Sequence, residues 1–194
     1  MKKIVIIAIL TLAIVGLYFV PWRKAQVLAT LRVGDPVDSL HGVVVYYNGD
    51  VSNVGERNLS SDGYNLGIKY QCVEFVKRYY YQHLQHKMPD SYGNAKDFFD
   101  QSLDDGTSNV RRDLTQYRNR SKSKPQENDL LVYSATSGNP YGHVSIIASI
   151  DDDEIEIIQQ NPGAFGKSRA RFKLIHEDGK WWIDNDRILG WLRK

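Results

Sequence analysis

The 194-residue sequence holds a single cysteine, Cys72. No disulfide can close within the chain, and no paired-cysteine zinc site can form. Charge of one sign is missing too: 25 Lys and Arg face 23 Asp and Glu, a formal net charge of +2. That balance gives no reason to expect a nucleic-acid partner. No glycine-rich phosphate loop is present, so ATP chemistry is not implied. Internal repeats and low-complexity segments are also lacking, and "DDDE" (residues 151–154) lacks the spaced ligand pattern of a calcium loop. The cysteine therefore reads either as buried filler or as a reactive thiol.

Hydrophobic residues make up 42% and charged residues 25% of the chain, ordinary for a domain with a core. The N-terminus departs from this. After Lys2 and Lys3 an apolar run from Ile4 to Val20 is broken only by Thr11 and Gly16. It is long enough for the roughly 17–25 residues of a membrane span. Its exit, Leu17 to Trp22, has no small-x-small cleavage pattern. The run reads as an uncleaved anchor over residues 1–22, followed by a tether over 23–39 and a domain over 40–194. The expected location is single-pass in the inner or cytoplasmic membrane, with the domain periplasmic or extracellular. The membrane is then a partner through the N-terminal helix. Oligomeric state is not legible.

Along the domain, "GVVVYYNGD" (42–50) is a strand-and-turn signal, and residues 51–69 are polar and loop-like. A helix begins near Cys72, with Cys72, Phe75, Val76 and Tyr79 as its inner stripe and Glu74 and Arg78 as an i,i+4 pair on a flank. "GNAKDFFDQ" reads as a short second helix capped by Asn94. Residues 102–126 suggest a short helix and a loop. Strands follow at 129–135, 143–150 and 154–161, then a hairpin turning at Asp178-Gly179 and a last strand in "RILGWLR". Helices first and strands afterwards make the class α+β.

A thiol attacks as thiolate. A helix N-terminus and a neighbouring imidazolium bring its pKa to about 3.5–7.5. Cys72 has the first condition if the helix starts there. Of the five histidines, His83 and His86 lie too far along the same helix and read as solvated surface. His176 flanks a hairpin turn, and His41 has no motif around it. His143 opens an apolar strand after Gly142, a good place for a general base. If 143–150 and 154–161 form a hairpin, His143 lies opposite about Asn161. Gln159 then sits one same-face step away, and either amide can orient the imidazole.

"YQCVEFVKRYYY", "YGHVSIIASI…EIEIIQQN" and "RILGWLR" resemble the CHAP family of cysteine amidases, in the papain-like and NlpC-type group. The likeness is strongest to the amidase domain of the bifunctional glutathionylspermidine synthetases/amidases. It covers roughly residues 40–192. It implies a papain-like CHAP fold, with N-terminal helices packed on an antiparallel β-sheet. It also implies Cys72 as nucleophile, His143 as base, and no cofactor or metal. The Cys72 backbone N–H and the Gln71 side chain are the implied oxyanion donors. Relatives place a glutamate where this chain has Gln159, so Gln159 or Asn161 is the orienting third residue. The implied reaction is amide hydrolysis through a Cys72 thioester. Three readings of function follow: a peptidoglycan amidase or peptidase, favoured by the anchor; an amidase of glutathione–polyamine conjugates; and a non-catalytic module that binds wall peptide or a partner protein.

Overall fold

The computed structural model describes residues 31–163 and 166–194. Residues 33–194 form one compact unit. Its twelve strands are β1 (Pro36–Leu40), β2 (Val43–Tyr46), β3 (Arg57–Leu59), β4 (Asn65–Ile68), β5 (Thr107–Asn109), β6 (Leu114–Arg118), β7 (Leu130–Tyr133), β8 (His143–Ile150), β9 (Glu154–Ile158), β10 (Arg169–Glu177), β11 (Lys180–Ile183) and β12 (Ile188–Arg193). One α-helix, α1 (Cys72–Gln82), and one 3-10 turn (Ala95–Phe98) complete the described elements.

Eight strands make an antiparallel sheet in the order β11-β10-β9-β8-β7-β12-β6-β5, and β1-β2 and β3-β4 are separate pairs. Period-two alternation sends side chains to opposite faces. On β7, Leu130 and Val132 join a core with α1, whereas Leu131 and Tyr133 join a second cluster around Trp191. Helix α1 lies on the first face, with Phe75, Val76 and Tyr79 fully buried and Cys72 packed at the edge.

The expected architecture is corrected here. Among the described residues a single α-helix, not a set of N-terminal helices, packs on a structure that is mostly strand. The "GNAKDFFDQ" segment makes only a 3-10 turn, closed by a reciprocal capping box between Asn94 and Asp97. Residues 102–126 form β5 and β6 rather than a helix, because Leu114 and Gln116 alternate inward toward the core edge. The polar stretch 51–69 contains the β3-β4 hairpin, and β1 begins inside the stretch read as tether.

The anchor expected over residues 1–22 lies outside the described residues. Among the described residues no helix is long and apolar enough to cross a membrane. The single-pass location and the membrane partnership are corrected accordingly: no described element supplies the span they require.

Candidate active site

The segment between β4 and α1 positions Cys72. Tyr70 turns the chain with a left-handed φ of 66°, and Gln71 is extended at the helix N-cap. Cys72 is therefore the first helical residue, where backbone N–H groups are unpaired by the helix itself. The close approach of β4 to α1 requires Gly67, at φ +124°. A Cβ there would sit 3.2 Å from the Glu74 Cα.

Three buried polar side chains brace this corner. Arg78 Nε donates to Glu74 Oε1 at 2.6 Å, and Arg78 Nη1 donates to the Val44 carbonyl at 2.8 Å. Gln160 Nε2 donates to Glu74 Oε2 at 2.8 Å and to the Gln71 carbonyl at 2.9 Å. Gln160 Oε1 accepts from the Tyr46 N–H at 2.8 Å. Gln160 thus ties the end of β9 and the β2 strand to the N-cap beside Cys72. Sequence reasoning missed all three. Glu74 and Arg78 have the spacing of a solvated pair, and Gln160 reads as one more polar residue at a strand end.

His143 reaches the same place from β8. The register Ile146↔Ile158, continued three residues, sets His143 against position 161, as the hairpin arithmetic expects, although the paired ladder ends at Ile158. Gly142 precedes it at φ +75°, where a Cβ would lie 2.7 Å from the Tyr133 carbonyl oxygen and 3.0 Å from the Lys96 N. Glycine is needed there. The thiol of Cys72 lies within hydrogen-bonding reach of the backbone N–H of Val144, the residue after His143.

Gln159 Oε1 is 2.8 Å from His143 Nε2, and Gln159 Nε2 donates to the Lys167 carbonyl at 3.0 Å. That second bond fixes which end of the amide is oxygen. An oxygen facing Nε2 needs a proton on Nε2, which leaves Nδ1 as the basic nitrogen. Asn161 is placed differently. Its φ of 56° breaks the strand alternation, and its Nδ2 donates to Gln71 Oε1 at 2.7 Å. Gln71 Nε2 in turn donates to the Asn53 carbonyl at 2.7 Å. Gln159 meets the histidine, whereas Asn161 steadies Gln71.

Burial pushes the Cys72 thiol up to about 11, against the opposing N–H groups of Val144, Val73 and Cys72 itself. Burial also pushes the His143 imidazole down to about 4, with the Gln159 hydrogen bond opposing and the Arg187 charge assisting. The expectation of a resting thiolate is thereby corrected. Desolvation outweighs the hydrogen bonds that reach each group, which disfavours the charged form of both. A neutral thiol and a neutral imidazole lining one pocket are a competent starting state for general-base chemistry, in which the proton moves as a nucleophile attacks. Iodoacetamide should consequently alkylate Cys72 at pH 6 no faster than a free thiol. A faster reaction would reveal a resting thiolate.

Cys72, His143, Gln71 and Asn161 line one pocket of about 630 Å³. Its walls include Val51, Val54 and Arg57 on one segment and Tyr92 and Tyr141 on others. The other histidines lie elsewhere. His41 Nδ1 meets the Tyr79 hydroxyl at 2.7 Å and stacks on His83. His86, expected on a solvated helix surface, lies beyond the end of α1 and is buried, its Nε2 donating to the Arg112 carbonyl at 2.9 Å. His176 stacks on Trp181. No metal-type cluster occurs among the described residues.

Residues 61–161 match the CHAP domain family. Over 136 residues the chain is 32% identical to a trypanothione synthetase of Crithidia fasciculata, and over 140 residues it is 29% identical to a glutathionylspermidine synthase of that organism. The alignments take in 68% and 66% of this chain but only 21% and 19% of those proteins, so the chain spans about a fifth of the length of the curated relatives it matches. Similar solved structures include Ly7917, at 17% identity and a TM-score of 0.38, covering 75% of this chain and 58% of that one. The endolysin LysIME-EF1 is similar at 20% identity and a TM-score of 0.39, covering 74% and 60%.

Proposed function

The chain belongs to the CHAP domain family, and on that premise we propose that it is a cysteine amidohydrolase or peptidase that cleaves amide bonds of peptidoglycan peptides. The observation that carries the reaction is the convergence on one pocket of Cys72, at a helix start, and His143, whose Nε2 is held by Gln159.

In this reading His143 Nδ1 takes the thiol proton as Cys72 Sγ attacks the amide carbonyl carbon. The negative oxygen is met by the Cys72 backbone N–H and by the remaining N–H of the Gln71 amide. His143 then gives its proton to the leaving amine, and the acyl group stays on sulfur as a thioester. Water, deprotonated by the same nitrogen, hydrolyses it. Gln159 keeps the tautomer fixed throughout, and Asn161 holds Gln71 in position.

The substrate assignment draws on the pocket's chemistry. Its described lining residues include no Asp or Glu. A polyamine leaving group, positively charged at neutral pH, finds no counter-ion there. A stem peptide with free carboxylates meets no repulsion. The second reading, hydrolysis of a glutathione–polyamine conjugate, is favoured by the identity to the two Crithidia proteins. Incubating the full-length protein with peptidoglycan fragments and, separately, with glutathionylspermidine, followed by mass spectrometry, separates the two. Cleavage of the fragments alone supports the first reading, and cleavage of the conjugate alone supports the second.

The amide on His143 has a testable signature. With His143 held near 4 and Cys72 near 11, kcat/KM should be flat across neutral pH and fall on the acid side near pH 4, where His143 takes up a proton. Gln159→Glu puts a carboxylate against Nε2 and stabilises the imidazolium. The base then protonates at higher pH, so the acid limb should move up by about 1–3 pH units. An unmoved limb would mean that His143 is not the group titrating there.

A further inference from the structure

Among the described residues that line the pocket, Arg57 is the only Arg, Lys, Asp or Glu. It stands on β3, paired with Ile68 of β4, and Ile68 lines the same wall. Its guanidinium lies 5.3 Å from the centre of the Tyr92 ring, and its Nη1 donates to Asn65 Oδ1 at 3.0 Å. Asn65 is itself buried and fixed, since its Nδ2 donates to the Ser91 carbonyl at 3.0 Å and its Oδ1 also accepts from the Gly67 N–H at 3.1 Å. Arg57 is therefore held in one orientation by a ring on one side and an amide on another. Lys69 pairs with Glu56 and Arg78 pairs with Glu74, whereas Lys77 donates to the Asn65 and Ser91 carbonyls. Arg57 has no carboxylate within ion-pair distance among the described residues.

A guanidinium carries five donors in a planar fork that matches a carboxylate. One of these is bonded to Asn65, and the exposed side chain leaves other donors accessible. Pre-orientation reduces the side-chain entropy that binding must otherwise remove. We propose that Arg57 is the specificity-determining receptor for a carboxylate on the substrate, so that the pocket selects anionic peptides over their amidated or cationic counterparts. The inference rests on the reading of this pocket as a peptide-amide site.

Full-length Cys72→Ala protein, which should bind without turnover, is titrated calorimetrically with a disaccharide-tripeptide in two forms. One carries free carboxylates, and in the other they are converted to carboxamides. The acid form is expected to bind about 10–100-fold more tightly, the range of one charge-assisted pair. In the Cys72→Ala/Arg57→Gln background the preference should shrink to within about threefold while the amide form keeps its affinity. Glutamine can still donate to Asn65, so the wall remains tied. An equal affinity for both forms, a preference that survives Arg57→Gln, equal weakening of both forms, or no binding of either would overturn the proposal. Parallel turnover by the wild-type protein keeps the two ideas apart. Arg57-dependent binding without hydrolysis would remove the amidase reading and leave the carboxylate receptor. Hydrolysis of both forms at equal kcat/KM would do the reverse.

Discussion

Replacing Arg78 with methionine is expected to lower folding stability by about 3–5 kcal/mol, the cost of stranding a buried charge. The side chains of Arg78 and Glu74 are 8% and 2% exposed. Removing the guanidinium leaves the Glu74 carboxylate with Asn58 and Gln160 as its remaining hydrogen-bond partners and leaves the Val44 carbonyl without its guanidinium donor. Urea denaturation measures the loss. The double variant Glu74→Leu/Arg78→Met should be less destabilised than the sum of the two single variants, because it removes both charges. A loss below about 1 kcal/mol would place the pair among solvated surface bridges instead. Gln160 shares this network and holds the Gln71 carbonyl, so Arg78→Met should also lower kcat in the fraction that stays folded.

The second large effect concerns Cys72 and His143. Each single alanine variant should lose roughly 10³–10⁶-fold in kcat, and the double variant should be no worse than either. In the proposed mechanism nucleophile and base act in one proton transfer, so removing one leaves the other with nothing to do. Substrate affinity should change little. Multiplying losses would show two independent contributions. The fold should survive both changes. Cys72 sits at the rim of the core rather than inside it, and His143 hydrogen-bonds a half-buried amide rather than bracing a strand.

Much of the β-region was legible because its signals are local. Strand β8 begins at His143 and ends at Ile150 as the apolar run does, and the β10–β11 hairpin turns at Asp178-Gly179, both with positive φ. The start of α1 at Cys72 was legible from its apolar stripe. Short strands escaped. β3, β5 and β6 hold three to five residues of mostly polar character, and they are strands because partners across the sheet pair their backbones. β3 and β5 pair with β4 and β6 only a few residues on, in hairpins that their polar character hides, whereas the β12 partner of β6 lies far along the chain. Helix content was overestimated for a related reason: the chain turns extended at Phe99, whose ring is buried in the core that also holds α1.

In the candidate site, residue types and order could be read from the sequence, whereas electrostatics could not. The helix N-terminus argued for a thiolate, yet the magnitude of desolvation depends on how much protein surrounds the sulfur, which is a three-dimensional quantity. The two amides illustrate the same limit. Period two put Gln159 and Asn161 on one face, but Asn161 is left-handed and turns to Gln71. Between them Gln160 points inward to Glu74, Arg78 and Tyr46. Arg57 was invisible for a different reason, because nothing in "GERNLS" says that its neighbours in space will be a tyrosine face and no carboxylate.

The central claim is a thioester on Cys72. The most direct measurement is intact-protein mass spectrometry of wild-type full-length protein, acid-quenched during turnover of a peptide amide that it cleaves. A species heavier by the acyl fragment, released by hydroxylamine and mapped by digestion to the peptide containing Cys72, is the expected result. An adduct on any other residue, or undiminished hydrolysis by the Cys72→Ala protein, would contradict it.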